Sequence, residues 1–464
     1  MLAVAHMSAA SASYLADCQV ITLKWDFAAF ADPSNVRGVV GPTEIGVFFH
    51  EWLHYLHNVS TILGLSAFGN QVVLWSEFRN TIDSNGLSAG SSVLTTERLK
   101  VVQQRIAFMA ASRFRQQDAI PGLVYVQQLQ IEEVRAVETP LLGAEVALTV
   151  LVCQSEILQR SGAHERVSVR IGVVEILESV AVMLEGELIR RLGGSEQPAS
   201  VIPYGLLVAL GRSRAPSLTP LELALCGLAS LQSSDPPGKL LEILDLAEGA
   251  SFDGKDRLTA LLIWTNATLK EQEEWVEKTL SLIEGVFPVD EPLARAIQAT
   301  VKAFRNNFAA RRKNPFFELG IVHELATDVQ RMNNIIRSFG GCCILQERTG
   351  DSNCVARDLM YDLALDPHDK LLEFGWRKMH ASFRFVSLHT TPTGFRSTNE
   401  IAVREATKCP FYRVCLYPLR KAAPAVCACE PWTSALLPDG GMPCWYATAV
   451  RDMRPPAAQT GSGL

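Results

Sequence analysis

Apolar residues at helical spacing fill most of the chain, and shorter alternating runs interrupt them. IGVFFHEWLHYLHNVSTILG, residues 45–64, keeps apolar side chains around a helix, with Thr43 as its expected N-cap and Glu44 in its first turn. Further helices are expected at 69–83, 94–118 and 141–160, and at 173–191, VVEILESVAVMLEGELIRR. Strands are expected at 19–27 (QVITLKWDF), 122–131 (GLVYVQQLQI) and 166–171 (RVSVRI). LGGSEQPAS at 192–200 reads as a linker. From there to about 340 the pattern is helical, with breaks at 233–239 and 250–256. Beyond 340 the composition turns to Cys, Pro and Trp, and the tail PPAAQTGSGL reads as disordered. The expected fold is α+β and predominantly helical. It has a mixed part over 1–195, an all-α part over 196–340 and a small cysteine-rich module over 341–464.

Composition narrows the function. At 464 residues the chain is too long for one ordinary core, and 48% hydrophobic with 20% charged residues is a globular balance. A net charge of −6 gives no pull toward nucleic acid, so no nucleic-acid partner is expected. The basic stretch VKAFRNNFAARRKN, 301–314, reads as a solvated helix face anchored by Phe304 and Phe308. No apolar run is long enough to span a bilayer, and the N-terminus lacks a basic leader, so a cytoplasmic protein without a membrane partner is expected. Eleven cysteines then read as reduced thiols or metal ligands.

The chemistry lies in FFHEWLHYLHN, residues 48–58. On a helix His50 and His54 are about 40° and about 6 Å apart, so both imidazoles reach one ion from the same side. Glu51 falls about 100° round from His50, where a general base can take a proton from a water on that ion. Uncharged flanks from Val47 to Leu56 complete the pattern. Over these ten residues the segment resembles the active-site helix of the zincin metallopeptidases. The resemblance implies a zincin-like N-terminal part, a catalytic zinc ion and hydrolysis of peptide bonds with Glu51 as base. The second His-Glu pair, His323-Glu324, lacks a second ligand and reads as helix surface.

A third ligand must come from elsewhere. His57 lies about 10.5 Å along the axis from His50 and is expected to support the ligands from outside, or to bond the following loop. The extended pattern HExxHxxGxxH is excluded, because its glycine position is His57 and its last position Ser60. The 173–191 helix is apolar all round and therefore buried, which leaves Glu175, Glu178 and Glu185 needing compensation. Glu178-Ser-Val-Ala181 resembles the E-x-x-A around the third ligand of gluzincins, although it stands 124 residues after His54. Glu178 is the first choice and Glu175 the second, with Glu185 able to hydrogen-bond a ligand. His164, Tyr204 and His323 are candidates for stabilising the oxyanion, and the 122–131 or 19–27 strand for pairing with an extended peptide.

Residues 409–444 hold Cys409, Cys415, Cys427, Cys429 and Cys444 without the paired spacing of a zinc ribbon. Two readings stay open: a second, structural zinc or iron–sulfur site, or small apolar thiols in a reduced module. Cys342, Cys343 and Cys354 are expected to be structural. The expected function is a zinc endopeptidase acting on protein or peptide. The appended modules suit a regulated effector with a narrow substrate range and a regulatory protein partner. The alternative is a non-catalytic helical scaffold with a structural metal site, which has no use for Glu51.

Overall fold

The structure is a computed structural model that describes residues 12–16, 19–23, 41–84, 86–115, 126–140, 147–196, 199–252, 256–291, 293–340, 342–346, 360–362, 369–401, 408–412, 414–415, 417–436 and 444–453. Helices dominate, and small sheets accompany them, so the α+β, predominantly helical expectation holds at that level.

Strands β1 (Ala12–Leu15) and β2 (Val20–Leu23) pair antiparallel. Helix α1 (Pro42–Asn58) follows Gly41, with Pro42 at its first position instead of Thr43 at its cap. The single helix expected over 45–64 is two. The hydroxyls of Ser60 and Thr61 donate to the carbonyls of Leu56 and His57 (2.6 and 2.7 Å), closing α1. Thr61 Oγ1 then accepts from the amide of Gly64 (3.0 Å) and caps α2 (Ile62–Arg79), which absorbs most of the helix expected at 69–83. Helix α3 (Thr96–Ser112), capped by Thr95, is shorter than the expected 94–118.

Strands β3 (Val126–Pro140), β4 (Ala147–Gln159) and β5 (His164–Ile171) form an antiparallel sheet in that order. The helix expected at 141–160 is thus the central strand β4. Leu151, Cys153, Ser155 and Ile157 are buried, and Val152, Gln154 and Glu156 between them are less so. That period of two belongs to a strand, disguised by an apolar run long enough to pass for a helix.

Helix α4 (Val173–Arg191) spans the range its pattern predicts. It packs on α1 closely enough that a Cβ on Gly46 would meet Ile189 at 2.5 Å. Eight helices follow among the described residues: α5 (Leu206–Arg214), α6 (Pro220–Ser230), α7 (Pro236–Phe252), α8 (Arg257–Glu271), α9 (Glu273–Val286), α10 (Ala294–Lys313), α11 (Phe317–Thr327) and α12 (Met332–Ser338). The chain then returns to its beginning, where β6 (Cys343–Gln346) lies parallel to β2 and pairs with β7 (Met360–Asp362). Helix α13 (Lys370–His389) follows. The buried apolar side chains form one continuous cluster from Ala12 to Met453. No helix among the described residues is long and apolar enough to cross a membrane.

Two imidazoles on α13 make the fold acid-sensitive. His389 Nδ1 donates to the Phe385 carbonyl (2.7 Å) and its Nε2 accepts from Thr398 Oγ1 (2.9 Å), which satisfies the neutral ring. Burial pushes His389 down to about 4 and His380, also beside Arg384, down to about 3. Below the usual histidine value near 6.5 the unfolded chain takes up a proton at each, while the folded chain does not. Their stabilising contribution is therefore complete above that value and is lost as pH falls toward the folded values. Urea unfolding should show about 4 kcal/mol less stability at pH 5 than at pH 7 from these two groups. A stability that does not fall over that window would contradict neutral, buried rings.

Candidate metal centre

Helix α1 brings His50, Glu51 and His54 to its α4-facing side, and α4 answers with Glu178 and Glu185. His54 Nε2 lies 3.1 Å from His50 Nε2, and Glu178 Oε2 lies 3.2 Å from His50 Nε2 and 3.3 Å from His54 Nε2. Three donor atoms from different residues thus converge on one point. Zinc bonds of about 2.0–2.1 Å in a tetrahedron imply donor separations of about 3.3 Å, so these residues fit one face of such a site. Among the described residues this is the one group of three or more His, Cys, Asp or Glu donors lying within 4.8 Å of one another.

Surrounding groups orient the donors. Glu185 Oε2 sits 2.9 Å from His50 Nδ1, so the far ring nitrogen is held by a carboxylate and Nε2 is aimed at the other donors. The Tyr14 ring stacks on His54 at 6.4 Å, and its hydroxyl accepts from Asn58 Nδ2 at 2.8 Å. Arg115, just beyond α3, places Nη2 3.6 Å from Glu178 Oε1, the oxygen not turned to the histidines.

The electrostatics suit a cation. Burial alone would lower His50, but hydrogen bonds to Glu178 and Glu185 and the nearby carboxylate charges push it up to about 10. A proton therefore stands where the charges call for an ion. His54 is lowered, chiefly by burial. Burial would raise Glu178, yet the two histidines hold it well below the usual carboxylate range. Burial pushes Glu51 up to about 7 against the attraction of His50, with repulsion from Glu178 and Glu185 adding to the rise.

Of the three oxyanion candidates, Tyr204 is beside the centre. Its ring lies 6.0 Å from that of His50. Ser179 of α4 fixes the loop: its hydroxyl donates to the Pro203 carbonyl and accepts from the Leu207 amide (both 3.3 Å), bracketing Tyr204. Burial, with the charges of Glu178 and Glu51, raises the phenol, which keeps it a neutral donor. Tyr204 also lines a cleft of about 1100 Å³ whose walls include Leu129 and Ile131 of β3, Val182 and Met183 of α4, and Arg212 of α5. Among the described residues β3 is an edge strand. His164 lines the same cleft but is exposed and engaged with Glu156 at 2.9 Å, and His323 sits at the surface beside Arg191 at 3.4 Å.

Other expected site residues have different work. Glu175 does not join the donor group: its carboxylate accepts from the Gly172 amide at 2.9 Å and caps α4, as its place in the first turn allows. His57 does not support the metal ligands either. It points to a buried network at the far end of α1, with Nε2 3.5 Å from Glu318 Oε1. There Arg311 bonds the Ser60 carbonyl and hydroxyl, the Pro315 carbonyl and both Glu318 oxygens. Burial would raise Glu318, but Arg311 and His57 bring it down to about 2. An Arg311→Met variant leaves that carboxylate buried with only His57 beside it, and should lose about 3–5 kcal/mol in urea unfolding. Adding Glu318→Leu should recover part of the loss.

Four of the five clustered cysteines, Cys409, Cys415, Cys427 and Cys444, lie near one another. Cys409, Cys415, Cys427, Cys429 and Cys444 are all half-buried and unbridged, and among the described residues none joins a donor group as close as that of His50, His54 and Glu178. Burial holds the Cys409 thiol well above its usual range, with Cys444, Cys415 and Cys427 nearby adding to the rise. The module around them is built from short helices. Cys343 is buried at the start of β6 and Cys342 just before it, and Cys354 lies outside the described residues.

Arg115 and Tyr14 were not visible in the pattern of residues; nothing in their local sequence marks them. No family model, curated protein or solved structure matches the chain.

Proposed function

We propose that the chain is a metal-dependent hydrolase built on His50, His54 and Glu178. The observation that carries this reading is the convergence of their three donor atoms to 3.1–3.3 Å with Glu51 one residue from the first ligand. More particularly, we infer a zinc peptidase that cleaves polypeptides in the cytoplasm. The HEWLH motif and the adjoining cleft support this narrower reading. Zinc held there supplies Lewis acidity, which makes water nucleophilic and polarises a carbonyl.

The chain's own groups do the rest. The Glu51 carboxylate takes the proton of the attacking water and passes it to the leaving amine nitrogen. Glu185 keeps His50 turned with Nε2 inward. The Tyr204 hydroxyl donates to the carbonyl oxygen as negative charge develops on it. The edge of β3 offers backbone groups to an extended peptide, and the cleft beside it has room for side chains. A purely structural metal site gives no role to Glu51, whose carboxylate has no hydrogen bond or ion pair to another described residue and sits at about 7.

The test is to incubate a proteome with the purified chain and map new N-termini by mass spectrometry. New termini that vanish with a zinc chelator and return with added zinc are expected. Their absence across varied proteomes would count against a peptidase.

A further inference from the structure

The two oxygens of Glu178 are treated differently. Oε2 faces both histidine nitrogens, at 3.2 and 3.3 Å, whereas Oε1 faces the Arg115 guanidinium at 3.6 Å. The Glu178 side chain is 10% exposed and that of Arg115 40% exposed, so the guanidinium closes the open side of an otherwise buried carboxylate. A carboxylate left to itself can offer a metal one oxygen or two. Two would crowd the coordination sphere and take the position that catalysis needs open.

A guanidinium this near also repels a cation, so its presence costs metal affinity. From the split between the oxygens we propose that Arg115 is a positioning residue, holding Oε1 away so that Glu178 ligates through Oε2 alone. This rests on His50, His54 and Glu178 being the metal ligands. Arg115 also bears on Glu51 and Tyr204 through its charge, which places it on the side of the centre where the reaction occurs.

The test uses cobalt(II) in place of zinc, because its visible spectrum reports coordination number without any substrate. Wild type, Arg115→Met and Arg115→Lys are loaded with cobalt, and stoichiometry and absorption are measured together. Wild type should bind one ion with the strong absorption of a four-coordinate centre. Arg115→Met should still bind one ion but lose most of that intensity, as Glu178 becomes bidentate, and Arg115→Lys should restore a large part of it. Arg115 is partly exposed and its removal should not unfold the chain, which circular dichroism checks. Equal spectra in wild type and both variants at equal stoichiometry would overturn the role of Arg115 and leave the metal centre standing. A wild type that binds no cobalt would overturn the metal centre, and the role of Arg115 with it.

Discussion

Replacing Glu51 with Gln is expected to leave the metal bound and to lower hydrolysis by roughly 10²–10⁴-fold, the usual contribution of a general base. The amide is nearly the size of the carboxylate, so packing on α1 changes little. Glu51 is not one of the three converging donors, so the ligand set is untouched. What disappears is the group that accepts a proton. Activity on any substrate found by terminus mapping, measured beside metal content, separates the possibilities. Metal retained with activity lost fits the base. Metal lost together with activity would make Glu51 a ligand, and unchanged activity would assign the base elsewhere.

The second large effect is expected from His54→Ala. It removes one of three ligands from a group that, unlike His50, carries no ion pair to Glu185. His50 is the worse choice for this test, because deleting it leaves Glu178 and Glu185 buried without their cation, at a cost of about 3–5 kcal/mol. Glu178 keeps its pairing to His50 when His54 is removed, so the fold should tolerate the loss. The variant should no longer hold a stoichiometric ion. Hydrolysis should fall roughly 10³-fold or more, the loss of several kcal/mol of transition-state stabilisation. Wild-type activity in a variant shown to be metal-free would remove the ion from the mechanism.

The parts of this site that were legible in the sequence are those set by local geometry. His50, Glu51 and His54 are related by helical rise and rotation alone, and α1 places them as that arithmetic requires. Glu178 was legible through energetics: an apolar, buried helix cannot keep a carboxylate without a cationic partner, and the histidines across the interface are that partner. The same argument was too coarse to separate Glu178 from Glu175, because an N-terminal cap is another way to satisfy a buried carboxylate. His57 fails as a ligand by its axial distance. Its actual partner, Glu318, lies on α11, and no local pattern links the two.

Arg115 and the choice of Tyr204 were illegible for the same reason. Their positions depend on where α3 ends and how Ser179 pins the 203–207 loop, both products of tertiary packing. The misassigned β4 has a different cause. Its inner residues alternate, but Val150, Val152 and Leu158 on the outward side are apolar too, so periods of two and of 3.6 compete within one run. The segments at 1–11 and 24–40 lie outside the described residues, so the expected strand at 19–27 is seen only as Val20–Leu23.

The central claim is that His50, His54 and Glu178 hold one metal ion. The most direct measurement is elemental analysis of wild-type protein purified without chelators, then stripped and titrated with zinc. About one tightly bound zinc per chain is the predicted result, since three protein ligands complete a catalytic site. Wild-type protein that carries no stoichiometric metal and takes up none on titration would contradict the account.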